Sequence, residues 1–283
     1  MLTKDKRILI VGLGLMGGSY AEALTAKGYD VGAVTRSKES IDYALSKGII
    51  SCGTTSVTAE MIGGYDILVF ALYPHIFLQW LGDYQQFIKP GALLTDVTGV
   101  KSSLVEQVQR ILRPDLEFVG AHPMAGREVY GVKNSTAAIF AGANYIVTPT
   151  PSNTPEAIAT VEDIGREIGC ARISRLSPSE HDTMIGFLSQ LTHCIAVALM
   201  TGKDVEHMSA YTGDSFRDLT RIARINDEMW SELFLINRDA LLEQMDLFTG
   251  QMQILRDAIA SGDTQTLRSM MRLSSERRAL FDK

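Results

Sequence analysis

The sequence has few cysteines and a shortage of positive charge. Cys52, Cys170 and Cys194 are far apart and odd in number, which suits free thiols in a reducing compartment, so we assign them to packing. The 27 Lys and Arg residues are outnumbered by 33 Asp and Glu residues, and the net charge is -6. Nucleic-acid binders normally carry a basic patch. We therefore predict no nucleic-acid partner.

Long apolar runs are also missing. The stretches 67–73 and 195–200 are far shorter than the ~20 residues that cross a bilayer. Residues 1–7 are charged and lead straight into a strand-like segment, without the apolar region of a signal peptide. We expect no membrane-spanning segment and a cytoplasmic location, and we predict no metal site.

The first part of the chain alternates short β-branched runs with helix-like stretches, which predicts a doubly wound parallel sheet covered by helices. The predicted strands are 7–11, 31–35, 67–72, 92–95, 118–119, 145–148 and 172–174. The first predicted helix is 16–27, and another is 154–168. We expect a single sheet that ends near residue 174.

The second part of the chain has no convincing strand. Ser177, Pro178, Ser179 and Glu180 form a plausible helix start, with proline in the first turn. The remaining residues are rich in Leu, Met and Ile at helical spacing, and a helical domain of this kind often buries a face against a second subunit. We predict an all-helical C-terminal domain and a homodimer.

A glycine-rich GxGxxG run joins the first predicted strand to the first predicted helix. Glycines at this spacing permit a tight turn and the close approach of a pyrophosphate, and the helix N-terminus adds N–H donors. The alternative is a glycine turn that only packs the helix on the sheet. Because strand, turn and helix follow one another directly, we favour the nucleotide-binding interpretation. The predicted cofactor-binding residues here are Gly12, Leu13, Gly14, Leu15, Met16 and Gly17.

The end of the second predicted strand bears on the choice of cofactor. An acidic residue there would bind the ribose 2′-hydroxyl of NAD, but the chain has Thr35, Arg36, Ser37 and Lys38. Arg36 and Lys38 could meet a 2′-phosphate, although a solvated basic turn is the alternative. We predict that Thr35, Arg36 and Ser37 contact the cofactor, with NADP favoured and NAD possible.

Three segments together carry a family resemblance. The segment 121–128 (AHPMAGRE) contains His122, 96–101 (DVTGVK) follows a predicted strand, and 213–223 (GDSFRDLTRIA) contains Arg217 and Arg221. With the opening GLGLMGGS, the helical LSQLTH of 188–193 and Met229-Trp230, they resemble the prephenate and arogenate dehydrogenase family over nearly the whole chain.

The resemblance implies a Rossmann-type dinucleotide-binding domain in residues 1–176 and a helical substrate and dimerisation domain in residues 177–283. It implies oxidative decarboxylation of a cyclohexadiene in tyrosine biosynthesis, with hydride transfer to NAD(P). His122 would accept the proton of the ring 4-hydroxyl, because an imidazole suits proton transfer near neutral pH. Arg221 would hold the ring carboxylate through two parallel hydrogen bonds.

Other polar residues have structural alternatives. Asp214, Arg217, Asp218 and Arg221 stand at three- and four-residue spacings, so they could form salt bridges on a solvated helix. We predict substrate binding for Arg221 and leave Arg217 open. His193 is either a core residue or part of the substrate pocket. His75, His181 and His207 are assigned to structural or exposed positions.

One position departs from the family pattern. In the segment that corresponds to 96–101, the family has a serine just before the Val-Lys pair. That serine hydrogen-bonds the substrate hydroxyl and helps orient the catalytic histidine. This chain has Gly99 at the same position. Thr98 is adjacent, although neighbouring residues in an extended chain point in opposite directions. We predict that Thr98 or a water supplies the contact.

Two alternatives remain open on function. Prephenate and arogenate differ in the side chain distal to the reacting carbon, for which Arg127 and Glu128 are candidate contacts, and we favour prephenate. A β-hydroxyacid dehydrogenase would use a lysine on the first long helix of the second domain, but 177–201 contains no lysine.

Gly99 also motivates an alternative from another class, a catalytically weak NADP-binding regulatory protein.

Overall fold

The computed structural model describes residues 2–204 and 206–282. An α/β part comes first and consists of a six-stranded sheet with helices on its faces, followed by a small second sheet. The rest of the chain is helical: within the described residues after 176 there is no strand. The fold class predicted from the sequence is confirmed.

The large sheet is parallel throughout, with the strand order β3-β2-β1-β4-β5-β6. This is the order of a dinucleotide-binding fold, in which ligands bind at the carboxyl ends of the strands beside β1 and β4. Its strands are β1 Arg7–Val11, β2 Asp30–Val34, β3 Cys52–Thr54, β4 Ile67–Phe70, β5 Leu93–Asp96 and β6 Glu117–Phe118. The helices between them are α1 Leu15–Ala26, α2 Lys38–Ser46, α3 Ala59–Ile62, α4 Pro74–Tyr84 and α5 Ser102–Ile111.

The expectation of one sheet ending near residue 174 is wrong. The chain leaves β6 and enters a separate three-stranded sheet, in which the middle strand pairs antiparallel with the first and parallel with the third. This sheet comprises β7 Gly120–Pro123, β8 Asn144–Thr148 and β9 Arg172–Arg175, with α6 Pro155–Glu167 between the last two. Only Val119 separates β6 from β7, so periodicity shows one apolar run where the fold has two strands in different sheets.

The helical part begins with a reciprocal cap. The side chain of Ser177 accepts a hydrogen bond from the backbone of Glu180, and the Glu180 carboxylate accepts one from the backbone of Ser177. The predicted helix start is therefore confirmed. The helices are α7 Pro178–Ile185, α8 Thr192–Thr201, α9 Asp214–Thr220, α10 Asp227–Ile236, α11 Arg238–Ser261 and α12 Thr264–Arg278, with a π-helical segment, Gly186–Leu191, between α7 and α8.

The helical stretch of α7, the π segment and α8 is longer than the apolar runs in the sequence suggest. It covers 24 residues with a mean hydropathy of 1.6 in its most apolar window, of which 28% is buried. By length and composition alone, this stretch of the described chain could cross a membrane, which is weak support for a membrane span. Exposed Phe187 and Leu188 show that much of this surface is uncovered in the single chain.

Candidate active site

The glycine-rich turn between β1 and α1 has the geometry of a nucleotide cradle. Gly12 has a φ of 98°, and a Cβ there would overlap the carbonyl oxygen of Ala71 on the neighbouring strand connection. A Cβ on Gly17 would overlap the carbonyl oxygen of Gly12, so helix and turn are in close contact. Gly14 instead faces open space, with no atom within 4 Å of a Cβ. The turn thus leaves room for a pyrophosphate at the helix N-terminus.

The end of β2 presents one exposed arginine. Ser37 accepts a hydrogen bond from Ser40 N and caps α2, while Lys38 pairs with Asp42 at 2.7 Å. Arg36 is exposed, and among the described residues no acidic side chain pairs with it. Arg36, rather than Lys38, is therefore the cationic side chain that remains for a cofactor phosphate.

A cavity of about 630 Å³ opens beside this turn, between the α/β part and the helical part. Gly14, Leu15, Met16 and Gly17 form its cofactor side, whereas Gly12 and Leu13 are buried behind it. Its other walls come from the ends of β4, β5 and β7 and from the helices around the π segment. The predicted site residues that line it are Thr98, His122, Glu128, His193 and Arg221.

His122 lies on β7, opposite Ile146 of β8. The sequence predicted a single sheet, so the position of His122 on a strand of the second sheet is a correction. The strand holds the ring against the cavity wall, half buried. Burial lowers the pKa of His122 well below the usual 6.5, and the nearby His181 and Lys101 act in the same direction. A neutral imidazole at physiological pH is able to accept a proton.

His181 and Asp182 stand behind His122 in a chain of short hydrogen bonds. The Nδ1 of His122 is 2.9 Å from Nε2 of His181, whose Nδ1 is 2.7 Å from Oδ1 of Asp182. The Asp182 carboxylate also accepts the backbone N–H groups of Lys101, at 2.8 Å, and Ser102, at 2.7 Å, where α5 begins. The sequence analysis assigned His181 to a structural or exposed position and did not predict these hydrogen bonds.

Charges around Asp182 explain its protonation state. Burial alone would raise the pKa of Asp182, but the hydrogen bonds from His181 and from the backbone of Ser102 and Lys101 lower it below 3.8. Burial lowers the pKa of His181, and the Asp182 carboxylate opposes that shift. Asp182 is therefore an anion and His181 is neutral near pH 7. The local signal in the sequence is an adjacent His-Asp pair near the capped start of a helix, and this pair alone does not show that His181 contacts His122.

Thr98 does not turn its hydroxyl toward His122. It donates to Asp96 Oδ2, lies 3.1 Å from the carbonyl of Val100 and accepts a hydrogen bond from Lys101 Nζ at 3.0 Å. Lys101 is fully buried and pairs with Asp96 at 2.5 Å. The prediction of Thr98 as a catalytic group is therefore corrected: its hydroxyl belongs to a buried ion pair that fixes the loop after β5.

Gly99 leaves a gap beside the ring of His122. A Cβ there would lie 3.7 Å from Cε1 and 3.8 Å from Nε2 of His122, and 3.8 Å from Leu233 Cδ1. These are ordinary van der Waals distances, so the site has room for the side chain that the sequence lacks. The same geometry shows that Nε2 of His122 is the ring nitrogen on the side of the cavity.

Arg221 and Glu128 form an ion pair across the cavity. The Arg221 side chain is 63% exposed, so its guanidinium is accessible to a ligand. A substrate carboxylate that binds Arg221 must replace Glu128 as its partner or share the guanidinium with it. Arg217 is different: it pairs with the exposed Asp214 at 2.5 Å and does not line the cavity, so the salt-bridge alternative, and not substrate binding, describes it.

His193 stacks on Trp230, with ring centroids 3.8 Å apart, and both line the cavity. Its Nδ1 lies 2.8 Å from the carbonyl oxygen of Ser189, which can only accept, so Nδ1 carries a proton. Burial lowers the pKa of His193. Nε2 of His193 can therefore accept a hydrogen bond, and it can donate one when the imidazole is protonated. The π segment contributes Ser189 to this arrangement, and such segments are frequent at functional sites.

The sheet has the strand order of a dinucleotide-binding fold, and an open glycine turn and a neutral histidine line the same cavity. This combination is typical of an oxidoreductase that binds a pyridine nucleotide. Family models agree with the geometry. The "Prephenate dehydrogenase, nucleotide-binding domain" matches residues 20–174, and the "Prephenate dehydrogenase, dimerization domain" matches residues 177–273. The glycine turn precedes the first matched range, so its assignment rests on its geometry.

Individual relatives match most of the chain. A cyclohexadienyl dehydrogenase of Zymomonas mobilis is 30% identical and covers 93% of this chain and 91% of its own length. A prephenate dehydrogenase of Bacillus subtilis is 27% identical, over 92% of this chain and 72% of its own length. The crystal structure of prephenate dehydrogenase from Aquifex aeolicus, solved with hydroxyphenyl propionate and NAD+, has a TM-score of 0.88 at 29% identity and covers 99% and 100% of the two chains. The chain belongs to the prephenate dehydrogenase family, whose members act in tyrosine biosynthesis.

Proposed function

We propose that the chain is a prephenate dehydrogenase that converts prephenate to 4-hydroxyphenylpyruvate and prefers NADP as hydride acceptor. The observation that carries the proposal is that a base, a carboxylate-binding arginine and a nucleotide cradle share one cavity: His122, Arg221 and the turn at Gly14 all line it. The nucleotide supplies the hydride acceptor, and the side chains supply binding, orientation and proton transfer.

His122 takes the proton of the ring 4-hydroxyl through Nε2. Removal of that proton assists departure of the hydride from C4, and the oxidised ring loses its carboxylate as CO2 and becomes aromatic. Aromatisation makes the decarboxylation favourable, and the ring oxygen regains a proton from His122 to give the phenol, so the protein needs no further group for that step. It needs the substrate to be held with C4 toward the cofactor side of the cavity.

The charge of the cavity supports prephenate over arogenate. Arg127, Arg221 and Arg224 line it together with one acidic residue, Glu128. Prephenate carries two carboxylates, whereas arogenate adds an ammonium group, for which Glu128 would be the partner. Because arginines outnumber acidic residues in the lining, the cavity favours prephenate, which carries two negative charges and no ammonium group.

The direct test offers prephenate and arogenate separately, each with NADP and with NAD, and follows formation of the reduced nucleotide. The proposal expects the highest kcat/KM for prephenate with NADP. A preference for arogenate would assign the Glu128 contact to an ammonium group. Cofactor binding without turnover of either substrate would contradict the proposed reaction and support the regulatory alternative.

The NADP preference rests on Arg36. We predict that Arg36→Ala lowers kcat/KM for NADP by about 10- to 100-fold, because a 2′-phosphate loses a charge-assisted partner. The kcat/KM for NAD changes little, since NAD has no phosphate at that position. Lys38→Ala is the matched control, because Lys38 pairs with Asp42. An equal loss with both nucleotides would contradict the assignment.

A homodimer is part of the proposal. Large apolar side chains of the helical part are exposed in the single chain, among them Leu235 (72%), Leu247 (62%), Ile259 (63%) and Met271 (61%). Exposed apolar area of this extent favours association, and the matching C-terminal model is described as a dimerization domain. Light scattering of the purified chain tests it. The cytoplasmic location and the absence of nucleic-acid and membrane partners stay predictions.

A further inference from the structure

We propose that His181 and Asp182 are positioning residues that fix the tautomer of His122, so that its Nε2 reaches the substrate as an unprotonated base. The proposal deepens the proposed function, because it names the residues that prepare the base for the reaction. It rests on three facts: the direction of the hydrogen bonds, the burial of the two residues and the lack of a side chain at Gly99.

The direction of the hydrogen bonds follows from the backbone. Asp182 accepts hydrogen bonds from the backbone N–H groups of Lys101 and Ser102, one on each carboxylate oxygen, and an N–H group can only donate. The carboxylate is thus held in its ionised form at the start of α5, where the helix dipole favours an anion. Its contact with His181 Nδ1, at 2.7 Å, must be donated by the imidazole.

The next link follows from the first. A neutral imidazole carries one proton, so His181, with that proton on Nδ1, presents a bare Nε2 to His122. The Nδ1 of His122, 2.9 Å away, must then donate. Its only proton is committed to this bond, which leaves Nε2 of His122 with a free lone pair on the side of Gly99 and the cavity.

Burial makes this arrangement persistent. His181 has no exposed surface, and Asp182 is 5% exposed, so water does not compete for these bonds. When His122 accepts the substrate proton, it becomes a cation that still donates through Nδ1. The Asp182 anion, acting through His181, stabilises that cation. A histidine oriented by a buried carboxylate in this way loses much of its activity when the carboxylate is replaced and the tautomer is wrong.

Gly99 makes the dependence on His181 stronger. With no hydroxyl on residue 99, and with Thr98 bonded to Asp96 and Lys101, no neighbouring side chain among the described residues holds Nε2. The hydrogen bond to His181 is then the contact that sets which ring nitrogen is protonated.

The test measures the tautomer itself, by NMR of the imidazole nitrogens in the ¹⁵N-histidine-labelled full-length protein. Signals are assigned by single histidine-to-glutamine variants. The proposal expects His122 and His181 both protonated at Nδ1 and bare at Nε2. A neutral His122 with its proton on Nε2 would overturn it. This measurement needs no substrate, so it stands or falls separately from the proposed reaction.

Kinetics of variants give the second readout. His181→Gln can still offer an amide oxygen to His122 Nδ1, whereas His181→Leu offers no acceptor. We expect His181→Leu to lower kcat by about 10²-fold with little change in the KM for the nucleotide, and His181→Gln to restore most of the loss. His207→Gln, on the exposed surface, is the control. Equal kcat values in the Leu and Gln variants would overturn the proposal, and thermal unfolding shows whether each variant is folded.

Discussion

At the scale of single residues, the neutral state of His122 is the feature on which the chemistry depends. Its ring is flanked by His181, and the buried Lys101–Asp96 pair and Asp182 lie close behind it. Burial lowers the pKa of His122, and His181 and the Lys101 ammonium act in the same direction, so the imidazole stays unprotonated at neutral pH.

This environment predicts the pH dependence. The pKa of His122 is lowered well below 6.5, so the base stays neutral as pH falls to that value and is lost only at lower pH. The kcat/KM for prephenate should therefore be level on the alkaline side of 6.5 and fall with protonation below it. A pH profile measures this. An acid limb centred at or above 6.5 would contradict the lowered pKa.

Gly99 allows a gain-of-function test at the residue scale. A serine Cβ fits at ordinary contact distances, and its hydroxyl would then be near Nε2 of His122. We predict that Gly99→Ser raises kcat by about 2- to 10-fold, which corresponds to one modest hydrogen bond. Gly99→Ala is the matched control, with the same Cβ and no hydroxyl. If alanine and serine give the same kcat, the hydroxyl plays no part.

The sequence identified some of these residues and missed others for physical reasons. Local motifs led to the predictions for His122 and Arg221, because each stands inside a distinctive segment, and the structure brings both side chains to the cavity. His181 acts through a contact with a residue 59 positions away, which no local pattern reports. Thr98 was misassigned because its hydroxyl is hydrogen-bonded to the buried Lys101 ammonium. The burial of a lysine is not visible in the sequence.

At the scale of elements, the turn between β1 and α1 separates two roles of glycine. Gly17 permits close packing of helix on turn, while Gly14 leaves space on the side of the cavity. Local sequence predicted this element well, since strand, turn and helix are consecutive. The π segment was not predicted, because its residues have the same apolar pattern as the α-helices on either side.

The two glycines give a matched pair of substitutions. We predict that Gly14→Ala leaves the melting temperature unchanged but weakens nucleotide binding by at least about tenfold, because its methyl group occupies the space for the pyrophosphate. Gly17→Ala should destabilise the fold by about 2 kcal/mol or more, because its Cβ overlaps Gly12. Calorimetric titration and thermal unfolding measure the two effects. Loss of stability in Gly14→Ala would contradict this division.

At the scale of the whole molecule, the cavity depends on how the helical part meets the α/β part. Besides the contacts of His181, Asp182 and Arg221, two further polar contacts join the two parts beside the cavity. Glu232 of α10 accepts hydrogen bonds from the backbone and Nδ1 of His75 at 2.8 Å each, and Asn226 donates to the Tyr73 hydroxyl at 3.0 Å. Tyr73 and Asn226 line the cavity, so these contacts hold its two walls together.

Removal of one contact should loosen the cavity without unfolding the chain. We predict that Glu232→Ala raises the KM values by about 2- to 5-fold, since the His75 side of the pair is exposed and such pairs contribute about 1 kcal/mol or less. Asp257→Ala, which removes an exposed ion pair within α11, is the control. Unchanged KM values in Glu232→Ala would show that the contact does not hold the walls.

The overall architecture was predictable from the sequence, but the division into two sheets was not. Alternation of strands and helices identified the α/β class, and the absence of strand patterns after residue 176 identified the helical part. The pairing of strands is a long-range property, and β8 has the same apolar pattern as a strand of the main sheet. The sequence therefore did not predict that β7 carries His122 into a separate sheet.

The most direct test of the account is prephenate-dependent reduction of NADP by the wild type and by His122→Asn. Asparagine keeps a polar group on β7 but cannot act as a base at neutral pH. We predict robust turnover in the wild type and a fall in kcat of about 10²- to 10⁴-fold in the variant, with nucleotide binding retained. Turnover in His122→Asn at the wild-type rate would contradict the assignment of the base.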